Sequence, residues 1–111
     1  MKKGLILTSI VLLVSLLAIA AINPAGTWNV QSAVAGGPTK LVLTTANGNV
    51  LNGFLDGAGI SGGGYNDTDI WFSATRSGVV YHYKGTITGN SLELRESGNR
   101  ANNKYSLTRG N

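Results

Sequence analysis

The sequence predicts an all-β protein: a small antiparallel up-and-down β-barrel of about seven or eight strands behind an N-terminal signal peptide. Three observations point there. From Val79 to Thr88, Val79, Tyr81, Tyr83 and Ile87 fall on one face, and Val80, His82, Lys84, Thr86 and Thr88 on the other. That period of two marks a half-buried strand. Turn-formers at Asn47-Gly48-Asn49, Gly78 and Gly89-Asn90 cut the chain into short runs, as antiparallel hairpins require. Beyond Asn23 no helical period occurs, and the density of glycine, threonine and asparagine disfavours helix. A chain this short cannot easily cover two open sheet edges, so closure into a barrel is expected over a sandwich.

The N-terminal end is of another kind. Met1-Lys2-Lys3 is basic, the run from Leu5 to Ile22 is apolar, and Ala18-Ile19-Ala20 precedes Ala21. These are the three parts of a secretory signal peptide, with the cut expected after Ala20. The alternative is an uncleaved anchor reaching Ile22, because roughly 18 apolar residues just span a bilayer. Without cysteine, a lipidated N-terminus of the bacterial lipoprotein kind is excluded. The expected destination is secreted or periplasmic. Membrane contact is expected only if the segment stays attached.

Residues 21–111 then form one domain. Asn23-Pro24 is a short unhelical lead, and Gly26 to Val34 reads as a strand with Trp28, Val30 and Val34 on one side. Ala35-Gly36-Gly37-Pro38 breaks it. Thr39 to Ala46 and Val50 to Asp56 form a hairpin across Asn47-Gly48-Asn49. Gly57 to Asp67, with five glycines, reads as a mobile loop at one end of the fold. Ile70 to Ser77, Val79 to Thr88 and Ser91 to Ser97 are strands, Gly98 to Asn103 a polar turn, and Lys104 to Arg109 the closing strand. The expected interior is Trp28, Val30, Leu41, Leu43, Leu51, Leu55, Ile70, Phe72, Val79, Tyr81, Tyr83, Ile87, Leu92, Leu94, Tyr105 and Leu107. Large side chains on this scale fill a small barrel and leave little room for a deep ligand.

The chain has no cysteine, so neither a disulfide nor a thiolate contributes. Its formal charge of +4 includes Lys2 and Lys3. Beyond Ala20, seven basic residues face five acidic ones, and they are scattered along the chain. A nucleic-acid footprint needs a clustered patch, so no nucleic-acid partner is expected.

Several motifs are familiar together: Gly26-Thr27-Trp28, Leu41-Val42-Leu43-Thr44 before a Gly-Asn hairpin, Ile70-Trp71-Phe72-Ser73, Tyr83 to Asn90, and Tyr105-Ser106-Leu107-Thr108-Arg109. They resemble a lipocalin/avidin-like small secreted bacterial β-barrel domain, over nearly all of the chain after the leader. The resemblance implies that a basic side chain of the last strand covers the G-x-W tryptophan. Here that pair is Trp28 and Arg109, a structural plug at one end of the barrel. The tryptophans and hydroxyls that line the biotin site of avidins have no match here.

Candidate chemistry is sparse. Gly57-Ala58-Gly59-Ile60-Ser61-Gly62 fits G-x-G-x-x-G, but Gly63-Gly64-Tyr65 follows, and without a helix N-terminus the motif cannot hold pyrophosphate. Asn66-Asp67-Thr68-Asp69 offers two carboxylates for calcium, which needs six or more oxygens; the same residues suit a turn, and Asn66-Asp67-Thr68 is also a glycosylation sequon. His82, the single histidine, makes neither a triad nor a zinc site alone. Glu93 and Glu96 lie on opposite strand faces and do not pair for glycoside cleavage. No catalytic residue, cofactor or metal is therefore expected.

What remains is Trp71, which alternation turns outward. Val42, Val50, Phe54 and Val80 share its parity within their own strands, and together with it and Tyr65 of the glycine-rich segment they form the expected contact surface. The alternative is that Trp71 covers a barrel corner or packs under the glycine loop, or that a bulge reverses its parity. The expected function is a non-enzymatic exported binding module for an unknown protein or a small apolar or glycan ligand. A carrier of a small apolar ligand and a small inhibitor of an extracellular enzyme are the alternatives.

Overall fold

The computed structural model describes residues 22–99 and 101–110; the signal-peptide and anchor expectations lie outside the described residues, save Ile22. The elements in chain order are β1 (Gly26–Val30), β2 (Lys40–Ala46), β3 (Val50–Leu55), β4 (Ala58–Gly59), β5 (Ser61–Tyr65), β6 (Asp69–Arg76), β7 (Val79–Thr88), β8 (Ser91–Gly98) and β9 (Ala101–Gly110). All pairings are antiparallel: β1 pairs with β2 and β9, β2 with β3, β3 with both β4 and β5, and β5 through β8 each with the next. The circuit is a closed eight-stranded up-and-down barrel, in which β4 and β5 are two segments of one bent wall strand. Closure satisfies every edge, which an open sheet of this size would leave exposed.

The turns follow from residues that tolerate positive φ. Asp56-Gly57 (φ 49° and 84°) and Ser77-Gly78 (52° and 78°) make two-residue hairpins whose twist matches the strands they join. Gly48 and Asn49 (79° and 59°) turn the β2–β3 hairpin.

Alternation then fills the barrel. Trp28, Leu41, Leu43, Leu51, Leu55, Ile70, Phe72, Ala74, Tyr83, Ile87, Leu92, Leu94, Tyr105 and Leu107 form one buried cluster. Each large member contributes about 1.5–3 kcal/mol by leaving water. Phe72 and Tyr83, opposite one another on β6 and β7, stack with centroids 4.9 Å apart. Val30 and Tyr81 pack half-buried against the cluster, and Val79 is half-buried at the strand end.

Three expectations are corrected. The first strand ends at Val30, so Val34 lies in the following loop, 54% exposed. Its partner β2 begins only at Lys40, and Gly37 N donates to Val34 O at 2.9 Å to close a turn instead. The segment 57–67 is not a mobile loop but wall. Its glycines answer local needs: Gly62 (φ 61°) sits within the register shift between Ser61 and Gly64, and a β-carbon on Gly63 would meet the Leu51 carbonyl at 2.2 Å. Glycine in a strand marks such a bulge or close backbone approach. The polar turn expected from Gly98 to Asn103 is also shorter, since β8 runs to Gly98 and β9 begins at Ala101.

Candidate functional site

At one end the chain closes the barrel with Trp28 and Arg109, which face each other across β1 and β9. The Arg109 Cζ lies 4.5 Å from the Trp28 ring centroid. Arg109 Nη1 donates to the Asn23 and Ala25 carbonyls at 2.7 and 3.1 Å, and Nη2 donates to the Gly89 carbonyl at 3.1 Å. Trp28 Nε1 donates to the Pro24 carbonyl at 3.0 Å. One guanidinium thus ties the lead, the first strand and the β7–β8 turn over a single indole.

The opposite end holds a buried carboxylate. Glu96 follows Leu92 and Leu94 on the inward face of β8 and is 3% exposed. Its Oε2 accepts from Tyr83 Oη at 2.6 Å and Arg76 Nη1 at 3.2 Å, and its Oε1 accepts from Asn103 Nδ2 and Tyr105 Oη, both at 3.1 Å. Burial alone would push this carboxyl up, but the three neutral donors and the Arg76 charge outweigh burial and hold it below its ordinary value. Burial and the carboxylate together raise the Tyr83 and Tyr105 phenols. Four donors occupy the four lone-pair positions of an ionised carboxylate, so Glu96 has no acceptor left for a ligand or for proton abstraction. Arg76 Nη2 also donates to the Gly36 carbonyl at 2.8 Å, strapping the β1–β2 loop over this end.

The outer wall carries the exposed chemistry. Trp71 on β6 faces Gly64 on β5 and Lys84 on β7, and it is 39% exposed. A β-carbon on Gly64 would lie 2.7–2.8 Å from three atoms of the indole. The indole thus packs directly against the Gly64 backbone, in space that any side chain at that position would need. A groove of about 460 Å³ on one side is lined by Asn66, Asp69, Ile70, Trp71, Lys84 and Thr86. A smaller one of about 270 Å³ is lined in part by Gly62, Trp71, Ser73, His82 and Lys84. Ser73 Oγ and His82 Nδ1 lie 2.8 Å apart.

Register adds a feature that linear order hides. Lys84 faces Arg95, and Arg95 faces Lys104, so three cations form a row across β7, β8 and β9 that continues from Trp71. Glu93 Oε1 is the near counter-charge, 3.7 Å from Arg95 Nη2 and 3.9 Å from Lys104 Nζ.

The expected contact residues do not form one patch. Phe54 is 55% exposed and faces Val42, while Val50 lies beside Trp71 with only Gly64 between them. Val80, 51% exposed, faces Thr75; four residues along β7 from Lys84, it stands about 13 Å from the Trp71 row. Tyr65 points inward and packs half-buried against the core. Among the described residues no group of three His, Cys, Asp or Glu side chains could hold a metal ion; Asp69 Oδ1 accepts from Thr86 Oγ1 at 3.3 Å. Sequence reasoning did not place Arg76 or Glu96 in the interior, although each shares parity with inward neighbours on its own strand. Comparison with protein-family models, with curated proteins and with solved structures returns no match.

Proposed function

We propose that this chain is a non-enzymatic, exported binding module, a lipocalin/avidin-like barrel that meets its ligand on the outer wall around Trp71. One observation carries the proposal: a large aromatic packed against the Gly64 backbone yet 39% exposed, between two grooves that Asn66, Asp69 and Thr86 on one side and Ser73 and His82 on the other help to line. Fixing a large aromatic against a backbone removes its rotamer freedom before a ligand arrives, which lowers the cost of binding. A filled interior and a fully satisfied Glu96 favour the outer wall over an internal carrier site. Export rests on the Lys2-Lys3 start, the apolar run and Ala18-Ile19-Ala20.

The test is a glycan array probed with the protein and with Trp71→Ala and Trp71→Phe. The expected outcome is loss of binding in Trp71→Ala, partial retention in Trp71→Phe, and cooperative melting in both. Binding that survives Trp71→Ala would remove the outer wall from consideration. N-terminal sequencing of the exported protein should begin at Ala21.

A further inference from the structure

We propose that the ligand is a linear anionic polysaccharide, lying across the strands with one sugar on Trp71 and its acidic groups along Lys84, Arg95 and Lys104. This rests on the outer wall around Trp71 being the contact surface. Like charges directly opposite one another on neighbouring strands destabilise a sheet. This barrel nevertheless aligns three of them, and among the described residues Lys84 has no ion-pair partner. Glu93 offsets part of the charge through two long, solvent-exposed contacts, which are weak and readily exchanged for a ligand anion.

Geometry and chemistry then select the occupant. Adjacent strands are about 4.8 Å apart, close to the advance per sugar in an extended polysaccharide, so successive acidic sugars meet successive cations. Around the indole, Asn66, Asp69, Thr86 and Lys84 mix acceptors and donors, the set that sugar hydroxyls need. A nucleic acid fits less well. The row offers one stacking platform where single strands use several. An acidic peptide strand has no edge to join, because the barrel is closed.

The experiment is affinity electrophoresis and calorimetry of the full chain against polygalacturonate, neutral dextran and single-stranded RNA at several salt concentrations, with melting curves for every variant. Polygalacturonate should bind best, and more weakly as salt rises. Lys84→Gln, Arg95→Gln and Lys104→Gln should each lower affinity by up to about fivefold, the range of one exposed ion pair. The triple variant should lose roughly tenfold or more, and melt no lower than the parent, since the like charges facing one another are gone. Polygalacturonate binding unchanged in the triple variant would overturn the proposal, as would preferred binding of RNA. Equal, salt-insensitive binding of dextran that is lost in Trp71→Phe would overturn the anionic ligand and leave the Trp71 surface standing. No binding to any probe would overturn the anionic ligand and leave the surface to the glycan array.

Discussion

At the scale of single residues, the Glu96 cluster makes the sharpest demands. Removing one partner of a buried ion pair leaves an uncompensated charge, which costs about 3–5 kcal/mol. Because Arg76 is partly solvated, Arg76→Ala should fall near the lower end, about 3 kcal/mol, read as a shift in urea unfolding. Acid should act through the same site. Glu96 is held below its ordinary value of 4.5 in the folded state, so its contribution is complete above that value. It is lost as pH falls through the lowered folded one. Asp56, an exposed residue whose partial desolvation is outweighed by hydrogen bonds from Thr39 and Lys40 and by the Arg76 charge, is also lowered and adds to the same slope. Melting temperatures from pH 7 to pH 3 should therefore decline, and Glu96→Gln should flatten the decline. An unchanged slope in Glu96→Gln would remove Glu96 from the explanation.

Among the elements, the glycine-rich wall segment shows why a strand can look like a loop. Gly57 to Asp67 has almost no alternation to recognise. What makes β5 a strand is what its neighbours bring: the Leu51 carbonyl against Gly63 and the Trp71 ring over Gly64. A large aromatic laid over a strand glycine restores the packing that glycine lacks. Gly63→Ala should therefore cost about 2 kcal/mol or more, because backbone must move. Gly59→Ala meets nothing within 4 Å and should change stability by less than about 0.5 kcal/mol. Chemical denaturation of the two variants distinguishes a packed wall from a slack loop, in which they would behave alike. The cation row has a related history. The Gly89-Asn90 turn, legible in sequence, already pairs Lys84 with Arg95. The pairing of Arg95 with Lys104 depends on a β8–β9 turn shorter than the composition of residues 98–103 suggests.

For the molecule as a whole, one seam joins distant parts of the chain. All other wall pairs are near neighbours in sequence, but Thr27 pairs with Gly110 and Val30 with Leu107. Deleting residues 107–111 would open this seam, expose Trp28 and remove Arg109. The loss should exceed the ~5–15 kcal/mol that stabilises a typical domain. The truncated protein should lack a cooperative melting transition in circular dichroism. A truncated form that melts cooperatively would mean that the barrel does not depend on its seam.

Alternation of apolar residues, with the turn-formers between the runs, determined the all-β class, nearly the whole interior and the outward Trp71, because a strand has only two faces and burial selects one; the shortness of the chain, which leaves no cover for open edges, pointed to a closed barrel. The pair of Trp28 and Arg109 came from the resemblance that the first and last strands' motifs carry, and the two do meet, 4.5 Å apart. Only the tertiary structure decided the rest: that Gly57 to Asp67 is wall, that Tyr65 turns inward, that Glu96 is satisfied inside the barrel, and that three separated cations share a row. Each depends on pairing register between strands, which turn length and through-space contact set, and neither is written in the local pattern of any one segment.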